Sequence, residues 1–135
     1  MDLGHWHYEK TFPKTAVYGF IYEITEISTG RKYVGKKQIH KTIKRPPLKG
    51  KKNKRHVVTE SDWRTYTGSC KLLNERIDEL GKSNYKFKIL RLCNSKWELA
   101  YYETKLQFEL DVLCKDEYYN GIINCRIGKK PIDRS

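Results

Sequence analysis

Val17-Tyr18-Gly19-Phe20-Ile21-Tyr22-Glu23-Ile24, the turn Ser28-Thr29-Gly30, and Arg31-Lys32-Tyr33-Val34-Gly35-Lys36-Lys37-Gln38 decide the fold. Residues 17–24 are β-forming and almost continuously apolar, as a central strand must be. Residues 31–38 are a second strand candidate across the turn. A four-residue loop over 27–30 with Gly30 left-handed pairs Glu26 with Arg31, and therefore Tyr22 with Gly35. Tyr33 is then the diagonal neighbour of Tyr22 on the same face, at about 7–8 Å, so two phenols can serve one site. A loop one residue longer or shorter would put them on opposite faces.

Working outward, residues 1–15 read as a loose arm whose Phe12-Pro13 docks on the domain. A basic insertion covers about 36–60. From Ile39 to Glu60 it has Pro46-Pro47, few apolar residues and no helical or strand period. The expectation is a structureless segment, free in solution and ordered on a nucleic acid. Ser69 reads as the N-cap of a helix over 70–80, with Leu73, Ile77 and Leu80 on one face and Gly81 as its stop. Residues 85–89 alternate as a third strand. Ser95-Lys96-Trp97-Glu98 is a capping box opening a helix over 96–114, striped by Leu99, Tyr102, Leu106, Leu110 and Leu113. Tyr119-Asn120-Gly121 is a turn, and residues 122–125 a short tail packed on the core. At 135 residues the chain is read as a single α/β (α+β) domain, a small three-stranded antiparallel sheet flanked by helices.

Charge is concentrated. Between Arg31 and Arg55 stand twelve Lys or Arg and no acid, whereas sixteen basic residues face sixteen acidic ones elsewhere. A focused positive field attracts polyanions and makes their binding salt-sensitive. The candidate phosphate contacts are Lys36, Lys37, Lys41, Lys44, Arg45, Lys49, Lys51, Lys52, Lys54, Arg55 and His56; the alternative is a solvated loop or a localisation tag. No apolar run approaches the roughly 18 residues of a membrane span, and the first twenty residues lack a signal-peptide core. Cys70, Cys93, Cys114 and Cys125 fit no zinc pattern and read as buried free thiols in a reducing compartment, a cytoplasm. His5 and His7 are a weak metal pair on a floppy arm.

Phosphodiester chemistry needs an activated water and charge stabilisation at phosphate, which a divalent metal commonly supplies. Glu103 lies at the margin of the apolar stripe and is the best metal-ligand candidate; it also reads as a margin glutamate reaching into water, and Glu109 is its rival. Tyr22 and Tyr33 can orient or deprotonate a water, provided Lys36 and Lys37 or a metal depress a phenol pKa near 10. They also read as strand packing. Arg64 suits a bidentate hold on phosphate, and His56 a proton relay or backbone contact.

Phe20-Ile21-Tyr22, with Tyr33-Val34-Gly35 eleven residues after the first tyrosine, resembles the paired signature of the GIY-YIG nuclease superfamily. Trp63-x-x-Tyr66-x-Gly68-Ser69 and Tyr119-Asn120-Gly121-Ile122-Ile123-Asn124 are similar to phage-type and homing-type members. The resemblance covers roughly residues 17–127. It implies a phage or mobile-element endonuclease that hydrolyses DNA by a single-metal mechanism, with Mg²⁺ or Mn²⁺ held by Glu103. Tyr22 is implied as, or beside, the general base, Tyr33 as positioning the water, and Asn124 as supporting the site. The arginine maps to Arg64, with Arg55 as runner-up. Phe20 stands where the motif has glycine, and Gly19 is one residue earlier. Homing-type relatives often append a DNA-binding domain; here target choice is expected to come from the insertion, DNA shape or a specificity-conferring protein partner. The rival reading is a non-catalytic nucleic-acid-binding module or basic structural protein on the same scaffold, and a third is an accessory inhibitor that uses the arm to occupy another protein's nucleic-acid channel.

Overall fold

The Gly30 turn closes as its chemistry requires. In the computed structural model, which describes residues 2–13 and 17–132, Gly30 has φ 75° and its N–H donates to the Glu26 carbonyl at 2.8 Å. The Glu26 N–H donates to the Arg31 carbonyl at 2.8 Å. Strand β1 (Gly19–Glu26) thereby pairs antiparallel with β2 (Lys32–Gln38), Tyr22 opposite Gly35 and Ile24 opposite Tyr33. Central β1 is buried at nearly every position, which explains its unbroken apolar run.

Two further strands, β3 (His40–Arg45) and β4 (Arg55–Glu60), pair with each other in a separate two-stranded ribbon. The expected structureless insertion is thus corrected to a hairpin. Its strands expose most residues on both faces, so no apolar alternation advertised them. The base is fastened where the Ser61 N–H donates to the Ile39 carbonyl at 2.8 Å.

Helix α1 (Lys71–Leu80) buries Leu73 and Ile77 and stops at Gly81, whose φ is 88°, while Leu80 is largely exposed. Its cap position is Cys70, without a side-chain hydrogen bond, rather than Ser69. Strand β5 (Tyr85–Cys93) completes the sheet order β2-β1-β5. It runs four residues beyond expectation, because a register shift opposite Ile21/Tyr22 interrupts the alternation. Such a bulge turns the following side chains to the other face.

Helix α2 (Lys96–Glu109) opens with the Glu98 N–H donating to Ser95 Oγ at 3.1 Å. It ends five residues before the expected 114. Asp111 has φ 53°, a left-handed conformation that aspartate tolerates, and Val112 is buried just past it while Leu113 is exposed. The tail then runs beside the free edge of β2: the Lys32 N–H donates to the Glu117 carbonyl and the Tyr119 N–H to the Lys32 carbonyl, both at 2.7 Å. Ile122 points outward and Ile123 is the tail residue that packs on the core.

One face of the sheet buries Phe20, Tyr22, Ile24, Phe87 and Ile89 against α1, Trp63 and Trp6. The other buries Ile21 and Val34 against Leu99 of α2. The described part of the expected loose arm is packed, which corrects that reading: Trp6 is buried and the His7 N–H donates to the Phe87 carbonyl. Phe12 stacks on Trp63 at 6.0 Å, the docking expected of it; residues 1, 14 and 15 of the arm lie outside the described residues. His5 stacks on Phe87 and donates from Nε2 to the Tyr66 carbonyl, and burial lowers its pKa to about 4, so the histidine sits on a packed segment rather than a floppy arm. Among the described cysteines all four are free, but Cys93 is the buried one and Cys114 is exposed.

At the turn end of the sheet, Glu26 is fully buried. It accepts from Arg76 Nε and Tyr85 Oη, each at 2.8 Å, and from Thr29 Oγ1. The Arg76 guanidinium holds this carboxyl down at about 2 against the cost of its burial.

Candidate active site

Strand β2 is an edge strand, and Gly35 makes it thin. A Cβ built on Gly35 would lie 2.5 Å from the Tyr22 hydroxyl and 2.7 Å from its Cζ, so the phenol of β1 occupies the room a side chain would need. Gly68 (φ 87°) packs on the same hydroxyl, which a Cβ would meet at 3.2 Å. Loop 66–69 is thereby seated over the phenols: Tyr66 packs edge-on against Tyr22 at 6.1 Å, and Ser69 Oγ hydrogen-bonds Tyr33 Oη at 3.1 Å. The rings of Tyr22 and Tyr33 are 6.2 Å apart on one face, as the hairpin register requires.

A cavity of about 390 Å³ opens at this edge, lined by Tyr22, Tyr33, Lys36, Glu103, Asn120 and Asn124 among others. Two amides build its back wall. Asn120 accepts from the Val34 N–H at 3.0 Å and donates to the Val34 carbonyl at 2.8 Å, and the buried Gln107 donates to that carbonyl at 3.0 Å. These contacts satisfy edge-strand groups that would otherwise stay unpaired. They also fix α2 and the tail against β2, which places Glu103 and Asn124 at the cavity.

Glu103 is the one carboxylate lining the cavity among the described residues. Burial pushes its pKa up, and the Lys36 ammonium at 3.9 Å offsets this only in part. Burial also pushes Tyr22 well above 10, with Tyr33, Tyr66 and Glu103 adding to the effect. Tyr33 is raised by burial, against the Ser69 hydrogen bond. The expected depression by Lys36 and Lys37 is absent, because both ammoniums are engaged elsewhere. Lys36 faces Glu103, while Lys37 pairs with Asp62 at 2.7 Å and lies 3.9 Å over the Tyr66 ring. Both phenols are therefore neutral at neutral pH.

Tyr22, Tyr33, Lys36, Glu103 and Asn124 come together; the two arginines do not. Arg64 pairs with Glu60, donates from Nε to the Asp2 carbonyl at 2.8 Å and stacks on Trp63, outside the cavity. Arg55 sits at the far end of the ribbon, opposite Arg45, with its Nε on the Pro46 carbonyl. Lys41, Lys44 and His56 share the ribbon, and Lys49, Lys51, Lys52 and Lys54 its tip. Glu109 lies away from the cavity, on the surface around Leu90 and Tyr102. Phe20 is fully buried in the aromatic core, and the close approach falls at Gly19, where a Cβ would lie 2.5 Å from the Lys37 carbonyl.

Ser69, Gln107 and Asn120 escaped the sequence reading. Ser69 carried a capping signal, Gln107 interrupted a helix stripe, and Asn120 preceded glycine in a turn pattern. The donor set fits a hard divalent cation, which takes oxygen ligands and, for Mg²⁺, as little as one carboxylate with water. A partly desolvated carboxylate beside phenol and amide oxygens meets that description, and among the described residues no group of three or more His, Cys, Asp or Glu is gathered to hold a metal.

The family model described as "Putative endonuclease segE, GIY-YIG domain" matches residues 6–123. No curated protein and no solved structure matches the chain significantly. The matched span contains both tyrosine motifs, the Tyr66–Ser69 loop and Glu103, and stops one residue before Asn124. By its paired tyrosines, its sheet and this match over most of its length, the chain belongs to the GIY-YIG nuclease superfamily.

Proposed function

We propose that the chain is a metal-dependent endonuclease that hydrolyses DNA phosphodiester bonds at the Tyr22–Tyr33–Glu103 cavity. The supporting observation is Glu103 itself. A carboxylate whose burial raises its pKa, with one ammonium 3.9 Å away, is a cost to the free fold that a bound cation removes. Mg²⁺ or Mn²⁺ held by Glu103 supplies Lewis-acid stabilisation of the charge that develops on the phosphate.

The chain's own groups do the rest. Tyr22 Oη, packed against Gly35 and Gly68, accepts a hydrogen bond from the attacking water and aims its oxygen at phosphorus. Tyr33 Oη, tied to Ser69, fixes the water's second direction. Lys36 Nζ, nearly half exposed, meets a phosphate oxygen. Attack forms the new P–O bond and breaks the bond to the leaving sugar oxygen, the water's proton passing to solvent and a solvent proton completing the leaving hydroxyl. The ribbon and its tip hold the DNA backbone, where Lys and Arg position a substrate without reading its sequence. Phage or mobile-element origin and action in a reducing cytoplasm belong to the same proposal, supported by the likeness to phage-type motifs and by the free cysteines.

One observation favours a non-catalytic binding module instead: neither Arg64 nor Arg55 lines the cavity. Incubation with plasmid, linear, branched and single-stranded DNA, and with RNA, in Mg²⁺ or EDTA separates the two readings. Metal-dependent cleavage of DNA supports the nuclease. Binding without cleavage of any substrate supports the module.

A further inference from the structure

Beside the catalytic cavity lies a second hollow of about 480 Å³, and the two share Lys36 and Asn124. Its rim carries Lys36, Lys37, Lys41, Lys96 and Arg126 over a floor that includes Leu99 and Ala100, and no carboxylate lines it. The basic tract supplies the first three. Lys96 and Arg126 come from the part of the chain whose charge is balanced, so the fold alone gathers them here.

The fold brings Lys41, Lys96 and Arg126 to one groove. They arrive from three separate segments, the ribbon base, the start of α2 and the tail, and none has an ion-pair partner among the described residues.

We infer that this groove binds the sugar–phosphate backbone of the substrate strand next to the scissile phosphate, with Lys96 and Arg126 as phosphate contacts outside the basic tract. The inference rests on the nuclease reading for its direction, since the groove leads into the cavity through Lys36 and Asn124. It also narrows the ribbon's role. Lys41 at the ribbon base forms the groove wall, whereas the tip cations lie beyond it.

The test measures affinity of the full chain for a labelled DNA duplex in EDTA across a salt titration. Neutralising one phosphate contact lowers the salt slope by about 0.9, so K96Q/R126Q is expected to lower it by about 2, with weaker binding at every salt. K71Q/K105Q, two exposed cations outside the groove, is expected to leave the slope unchanged, and K96R/R126K to retain it. A K96Q/R126Q slope equal to wild type, or an equal drop in K71Q/K105Q, would overturn the groove and leave only diffuse attraction. Matched thermal melts exclude a folding defect. A chain that passes this test yet cuts nothing keeps the groove and loses the nuclease.

Discussion

The Tyr22 hydroxyl fills the space where residue 35 would carry a side chain: a Cβ on Gly35 would lie 2.5 Å from it. The glycine that follows the second tyrosine of the motif therefore serves the first tyrosine. It lets a phenol rooted in the central strand reach past the edge strand into the cavity.

Gly35→Ala is accordingly expected to cost about 1–3 kcal/mol through overpacking and to lower cleavage at least about tenfold by moving Tyr22. Gly68→Ala combines a milder contact with a left-handed backbone and is expected to act in the same direction. Urea denaturation and initial cleavage rates measure the two effects. Wild-type cleavage in a folded Gly35→Ala chain would detach Tyr22 from the reaction.

Tyr22→Phe keeps the ring and its contacts with Trp6 and Tyr66. Stability should change by no more than about 1 kcal/mol, while cleavage falls by about a hundredfold or more. Because burial raises this phenol well above 10, ultraviolet titration of the metal-free chain should show it neutral throughout the range where the protein is folded. An unchanged cleavage rate would make Tyr22 a packing residue.

The two tyrosines were legible in sequence because register follows from loop length, and Gly30 supplied the one residue that fixes it. Helix α2 opened where its capping box said, since that signal is local. What failed was non-local or two-sided. Ribbon β3–β4 buries neither face, so it shows no alternation. Trp6 is buried through contacts with residues far along the chain. Ser69 looked like a cap, but its hydroxyl is taken by Tyr33. Gln107 hid on an apolar stripe because its amide is satisfied by a strand backbone 73 residues away. Arg64 was chosen by its neighbours in sequence, and the fold gives it to Glu60.

The buried Glu26 network belongs to stability, not to the site. With its folded pKa near 2 against a usual 4.5, Glu26 stabilises the fold fully above about pH 4.5, and this is lost as pH falls toward 2. Arg76→Ala leaves the buried Glu26 carboxylate without its cation and is expected to lower the melting temperature. Calorimetric melts of the variant should show this, with cleavage per folded molecule retained at low temperature.

Replacing residues 42–58 with a short glycine turn should leave the core folded, since the ribbon's ends are already joined by the Ser61–Ile39 hydrogen bond. DNA affinity should drop and its salt dependence flatten, as cations of the basic tract are lost. Melting temperature and the salt slope are the readouts; an unfolded product would make the ribbon structural.

Glu103 gives the sharpest test. Burial raises its pKa, so the folded metal-free chain binds the proton more tightly than the unfolded chain does, and stability falls as pH rises through that value. Glu103→Gln should therefore melt no lower, and in the expected case higher, than wild type in EDTA at neutral pH. It should also lose the rise in melting temperature that Mg²⁺ gives wild type, and cut DNA at less than about a hundredth of the wild-type rate, while binding DNA at least as tightly. A Glu103→Gln chain that still gains stability from Mg²⁺ and cleaves at the wild-type rate would contradict the assignment of this cavity as the metal-dependent active site.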